Sequence, residues 1–198
     1  MGTNYALTVT TEPTIEPVTL EEAKRQCRVT HDAEDSLIEG YITTARQVAE
    51  RYTNRAFITT TFAYRRDSFP VEFRLPRAPL ASVTTIEYVD TAGDTQELSS
   101  EVYSLDKYQE PGRISEAHGQ QWPTARGINN AVIVTYVAGY GATAATVPQG
   151  IKDAIMILVN HLYENRDIIV TGTIVSKIPI SAISLLDGYV VYTSGDKE

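Results

Sequence analysis

Residues 131–155 read AVIVTYVAGYGATAATVPQGIKDAI, and how this stretch is taken decides the fold. An apolar run is followed by Gly139-Tyr-Gly141-x-x-Ala144 and then by a helical pattern. That is the outline of a dinucleotide fingerprint, in which glycines let the backbone approach a pyrophosphate at a helix N-terminus. Such a site sets its glycines at the helix start inside one βαβ unit, with an acid about 20 residues on. Here residues 142–147 separate Gly141 from Pro148, a favoured first helical residue. No second parallel strand ending in an acid follows, and the region upstream reads as antiparallel hairpins. The stretch is therefore a strand, its exit loop and a helix, and no cofactor is expected.

Upstream of it, about Ala56 to Val137, the pattern is β. FITTTFAYRR is rich in β-branched and aromatic residues, with Ile58, Thr60, Phe62 and Tyr64 on one face. Pro70, Pro76 and Pro79 confine the next segments to short or edge strands. SVTTIEYVD and a partner beginning near Thr95 flank the turn-rich Asp90-Thr-Ala-Gly93-Asp94, which predicts a hairpin. Short strands are expected near Val102–Leu105 and Arg113–Ser115, and Ala131–Val137 closes the set as a buried strand.

Residues 1–55 read as helical. Thr19-Leu-Glu-Glu22 is a capping-box pattern that opens a helix running to about Val29. A second helix is expected from near Asp32 to about Thr53, with Leu37, Tyr41, Ala45, Val48 and Tyr52 at its apolar spacing, flanked by Ile38, Ile42 and Ala49. Asn54 is its stop signal. A third helix, about 148–164, carries the stripe Ile151, Ala154, Ile155, Leu158 and Leu162, with Met156, Ile157, Val159 and Tyr163 around it. Such a helix is enclosed by neighbours, inside the domain or across a subunit interface. From Asp167 to Glu198 the chain is apolar but broken by Gly172, Pro179 and Gly188, a segment that seldom forms its own core. The fold class expected is α+β: a small helical bundle with an inserted antiparallel β region, read as a single domain of 198 residues. Its parts are 1–55 helical, 56–137 β insertion, 148–166 core helix and 167–198 docking tail.

The net charge is −8, but its order along the chain says more than its sum. Residues 1–50 carry 4 bases and 9 acids, residues 51–80 carry 6 arginines and 2 acids, and residues 81–198 carry 7 bases and 14 acids. A +4 segment thus stands between −5 and −7. It reads as a solvated face or as a patch that meets an acidic surface on another subunit. Tight sequence-independent DNA binding is not expected of so acidic a chain. No apolar run approaches a membrane span, and the N-terminus has no basic n-region or apolar core of a signal peptide. Ala6 stands where a myristoylation signal wants Ser or Thr. The single cysteine, Cys27, precludes an internal disulfide, suits a reducing compartment and reads as a small buried residue.

No catalytic constellation emerges. His161, Glu164 and Asp167 are spaced i, i+3, i+6, but further strong ligands are missing and His31 and His118 stand in unrelated segments, so no metal is expected. Asp32, Glu34 and Asp35 suit a helix's first turn rather than a catalytic pair. No Gly-x-Ser-x-Gly elbow exists, and Trp122-Pro123 reads as a packing anchor.

The ordered series VTLEEAKRQCRV, DAEDSLIEGYITTARQVAERYTNRAFITTT, LPRAPLASVTTIEYVD, EPGRI, Trp-Pro, VTYVAGYG and VPQGIKDAIMILVNHLYENRD resembles the head–tail connector (adaptor) proteins of long-tailed bacteriophages and prophages. The likeness runs from about residue 15 to 192; LPRAPL, VTYVAGYG and HLYENRD together carry it. The ending ISAISLLDGYVVYTSGDKE departs from members with a longer basic or aromatic tail. The resemblance implies a non-enzymatic virion neck protein: a ring of about twelve copies below the portal, made in the bacterial host cytoplasm. Its partners would be itself, the portal protein and a tail-completion or tail-tube protein, with DNA passing through the lumen unbound and no membrane involved. A tail-completion or baseplate joint, and an enzyme with a phosphate site at Gly139–Ala144, are the alternatives.

A ring needs two different complementary surfaces per subunit. The candidates are Arg51, Arg55, Arg65, Arg66, Arg74 and Arg77, facing an acidic neighbour or the portal. With them stand Ile168, Ile169, Val170, Ile174, Val175, Ile178 and Ile180, expected to become ordered on docking.

Overall fold

The computed structural model describes residues 5–165 and 179–192. The fold is α+β, and the chain divides into two compact units, one helical and one β.

The helical unit takes in residues 14–58, 141–165 and 179–190. Helix α1 (Leu20–Cys27) opens on the expected capping box: the Thr19 hydroxyl accepts from the Glu22 N–H, and the Glu22 carboxylate accepts from the Thr19 N–H at 2.7 Å. It ends where Arg28 turns left-handed. Helix α2 (Asp35–Thr53) starts three residues later than Asp32, because Asp32 precedes the helix with its carboxylate drawn to Lys24 Nζ at 2.6 Å. Asn54, left-handed at φ 56°, stops it as expected.

The face that α2 buries is turned by one residue from the expected stripe. Ile38, Ile42, Ala45 and Ala49 are inside, together with Arg46 and Thr53, while Leu37 is exposed. Helix α3 (Gln149–Glu164) buries Ile151, Ala154, Ile155, Leu158 and Val159 and packs on α1, α2 and a short helix, α4 (Ile180–Leu186). The expectation that the segment beyond Asp167 lacks a core of its own is corrected for this part of it. Ala182 and Leu186 of α4 are fully buried. Arg55 Nε donates to the Tyr189 carbonyl at 2.6 Å, and a Cβ on Gly150 would come within 3.1 Å of the Tyr189 hydroxyl. The sequence carries little sign of it because only Ala182 and Leu186 anchor this seven-residue helix of about two turns.

The β unit takes in residues 5–13, 59–140 and 191–192. Its first strand, β1 (Ala6–Thr11), lies in the region read as helical, and it is an edge strand. Most of its residues face water, so the inside–outside alternation that betrays a strand is absent. The remaining strands are β2 (Thr60–Arg66), β3 (Glu72–Leu75), β4 (Leu80–Val89), β5 (Thr95–Glu97), β6 (Tyr103–Asp106), β7 (Gly112–Glu116) and β8 (Val132–Ala138). They form one sheet in the order β1-β2-β8-β4-β5 and another in the order β3-β7-β6, with every pairing antiparallel.

Strand β8 alternates as a central strand should: Val132, Val134, Tyr136 and Ala138 are buried, and the residues between are half-exposed. Phe62 stacks on Tyr136, Tyr64 meets Phe73 edge-on, and the Tyr136 hydroxyl donates to the Pro76 carbonyl at 2.6 Å. Burial raises the Tyr136 pKa well above its ordinary value, so this hydroxyl stays a donor. The β4–β5 turn is held by one carboxylate: Asp90 accepts from the N–H groups of Ala92, Gly93 and Asp94 and from Gln96 Nε2.

Candidate assembly surface

The opening stretch behaves as a joint. Gly139 leaves β8 with φ 133° and its N–H donates to the Pro79 carbonyl. Beyond Gly141 the chain makes a single 3-10 turn (Ala144–Thr146), closed by the Thr146 hydroxyl on the Thr143 carbonyl at 2.7 Å. A Cβ on Gly141 would lie 2.8 Å from the Thr146 side chain, so this glycine is required by packing against its own loop. The strand before the loop has only antiparallel neighbours, which is not the setting of a pyrophosphate cradle. Among the described residues, no group of three His, Cys, Asp or Glu could hold a metal ion, and no helix is long and apolar enough to cross a membrane.

The six arginines, adjacent in sequence, are divided between the units. Arg51 is exposed on α2, and Arg55 is buried on the Tyr189 carbonyl. In the β unit Arg66 is buried, Arg65 donates to the Thr8 hydroxyl at 2.7 Å, and Arg77 is half-buried with φ 63°. Arg74 is engaged by Glu72 at 3.0 Å. Of the apolar candidates, Ile180 opens α4 and is 81% exposed. Ile168, Ile169, Val170, Ile174, Val175 and Ile178 lie outside the described residues.

Three charged constellations are not foreseen by the sequence pattern. In the helical unit, Arg46 donates to Glu16 at 2.7 Å and to Glu50 at 2.9 Å; Thr43 also donates to Glu16, and the Phe57 N–H to Glu50. Burial pulls the Arg46 pKa down, but the two carboxylates outweigh it and the net shift is upward. Lys24 is likewise raised by hydrogen bonds from its ammonium to Asp32 and Asp35. Buried Cys27 has its thiol pKa pushed up, chiefly by desolvation. In the β unit, Arg113 bridges Asp106 at 2.7 Å and Glu72 at 3.3 Å across the three-stranded sheet. The Arg113 hydrogen bond holds Asp106 below the usual carboxylate range. The other Asp106 oxygen accepts from the Tyr108 N–H, fixing a hairpin tip on which Tyr108 is 91% exposed. Beside that sheet Trp122 stacks on Phe69 at 5.1 Å and meets Phe73 edge-on, the packing role read from the sequence.

Among the described residues the arrangement offers charged and apolar surface, with Arg51, Tyr108 and Ile180 exposed. Residues 17–107 match the family model described as Phage gp6-like head-tail connector protein. No curated protein matches the chain by sequence. Among solved structures, a chain from "Neck of empty GTA particle computed with C6 symmetry" is 24% identical with a TM-score of 0.79, covering 98% of this chain and 100% of that one. A chain from "Virion of native gene transfer agent (GTA) particle" is 22% identical with a TM-score of 0.75, covering 95% and 96%. A chain from "Neck of native GTA particle computed with C12 symmetry" is 20% identical with a TM-score of 0.67, covering 96% and 100%.

Proposed function

We propose that this chain, which resembles the phage head–tail connectors and matches their family model through residues 17–107, is a structural adaptor of a virion neck. The observation that carries the reading is the coincidence of that match with a fold shared end to end with neck chains of gene transfer agent particles. The adaptor forms a closed ring of its own copies, joins the portal above to a tail-completion or tail-tube protein below, and performs no catalysis. Closure requires heterologous contacts, in which each copy offers two different surfaces. An acidic chain lining a channel lets DNA slide through without adhering. Arg51 and Ile180 are exposed to a neighbour or the portal, Arg65, Arg74 and Arg77 are half-buried, and buried Arg55 and Arg66 serve the fold of their own units.

Removing the chain from the particle-producing cell tests the reading. The expected result is DNA-filled heads and separate tails, rejoined when the chain is supplied again. Normal tailed particles made in its absence would overturn it. Calorimetry with NAD, ATP and GTP should show no saturable heat at millimolar ligand, which addresses the enzyme alternative.

A further inference from the structure

A sheet that ends in unpaired backbone groups is a template for another strand, and proteins blunt such edges with charge or proline. Three edge strands here are blunted: β3 carries Glu72 and Arg74, β6 ends in Asp106, and β5 ends in Glu97. Two stretches carry no charge and are interrupted only by bulges. Strand β1, ALTVTT, carries no charge, pairs only with β2 and leaves its outer edge open among the described residues. Strand β4 is paired with β8 along most of its length, but β5 covers only residues 87–89 of its other edge. The Leu98 N–H adds one bond to Ile86, and residues 80–85, LASVTT, carry no charge, with Ala81, Ser82 and Thr84 exposed and Leu80 buried. Beside this open stretch lies a groove of about 490 Å³ whose walls include Thr84, Thr85, Ser99 and Tyr103.

We infer that β1 of one copy adds to residues 80–85 of β4 in the next copy, joining the five-stranded sheets edge to edge around the ring. The inference rests on the ring reading above. Strand direction supports it. In the order β1-β2-β8-β4 directions alternate, so β1 and β4 run oppositely. A rotation about an axis lying along the strands leaves their directions unchanged. It therefore sets the next copy's β1 antiparallel to β4, continuing the alternation. The edges differ, so the contact is heterologous and can close a ring, which a β1-to-β1 pairing about a two-fold axis cannot. Length and composition agree as well: six residues meet six and neither stretch is charged. The Thr8 and Thr10 hydroxyls already bond Arg65 and the Thr61 carbonyl, so the join is made by backbone hydrogen bonds. The bulges of β4 between Leu80 and Ser82 and between Val83 and Thr85 fix where the ladder can run and limit it to a few bonds per copy.

The test uses the full chain with Cys27→Ser, which leaves no other thiol. Thr8→Cys is combined in turn with Ser82→Cys, Val83→Cys and Thr84→Cys, and each double variant is oxidised at millimolar protein. Cross-strand neighbours lie within disulfide reach, so at least one pair should give a ladder of covalent species beyond the dimer. Single variants should give none. Sedimentation of the parent chain is run alongside. Rings in the parent with no ladder from any pair overturn the edge join and leave the adaptor reading standing. Covalent dimers from Thr8→Cys alone indicate two-fold pairing and also overturn it. A parent that stays monomeric while no pair gives a ladder counts against the ring itself.

Discussion

In the helical unit, two cations are drawn inside and answered by carboxylates of the same unit: Arg46 by Glu16 and Glu50, Lys24 by Asp32 and Asp35. In the β unit, Arg113 on the central strand of the three-stranded sheet pairs with Glu72 and Asp106 on its two edges, while among the described residues β1 and the first half of β4 have no strand on their outer edge. Among the described residues, the buried Arg46 and Lys24 of one unit find carboxylates within it, whereas the other unit has sheet edges that carry no neighbouring strand. The difference teaches where to look for assembly. A run of like charges in sequence scatters once folded, because helix and strand aim consecutive side chains at different faces. Open strand edges concentrate unmet bonding in one place.

The contrast can be broken by unfolding the units separately. The single tryptophan, Trp122, lies in the β unit and reports on it by fluorescence, while ellipticity at helical wavelengths reports on the other. Phe73 is fully buried against Tyr64, Phe69 and Trp122, and truncating it leaves a cavity. Phe73→Ala should cost about 3–5 kcal/mol, moving the Trp122 transition to lower urea and the helical transition little. Arg46→Ala should do the reverse, by about 3 kcal/mol, because it strands two carboxylates that still reach some water. If each substitution moves both signals equally, the two units unfold as one and the contrast is only geometric.

Gly112→Ala should cost about 1–3 kcal/mol in the Trp122 transition, since overpacking forces neighbours aside. Its new Cβ would stand 2.5 Å from Leu80 Cδ2. The smallest effect is at the α1 cap. Thr19→Ala should cost about 1 kcal/mol in the helical transition. It should also change the acid limb. The Thr19 backbone hydrogen bond holds the Glu22 pKa below its usual value, so that contribution is complete above about pH 4.3. It is lost as pH falls through the lower folded value. Thr19→Ala keeps that backbone N–H and removes only the smaller hydroxyl hydrogen bond to Glu22 at 3.0 Å, so a titration of stability from pH 6 to 3 should fall only slightly less steeply in the variant.

Much of this was legible in the sequence. The capping box at Thr19, the left-handed stop at Asn54, the Asp90 hairpin turn and the alternation of β8 each depend on residues close together in the chain. What was missed depends on distant partners or weak patterns. Arg46 looks like a surface residue until Glu16, 30 residues away, is placed beside it. The stripe of α2 centres on Ile38 rather than Leu37, a rotation that apolar spacing alone cannot fix when both positions are apolar. Strand β1 shows no alternation because it is an edge. The proposed assembly surface was the least legible part: the arginines were visible as a run, yet burial of Arg55 and Arg66 could be learned only from the fold.

The central claim is that this chain is a ring at the neck of a particle. Cryo-electron microscopy of particles from the cell that encodes it, reconstructed about the head–tail axis, addresses that claim most directly. The account predicts a closed cyclic layer between head and tail into which this α+β fold fits, with the five-stranded sheets of adjacent copies meeting edge to edge. A complete neck with no density for this fold, or the chain absent from purified particles, would contradict it.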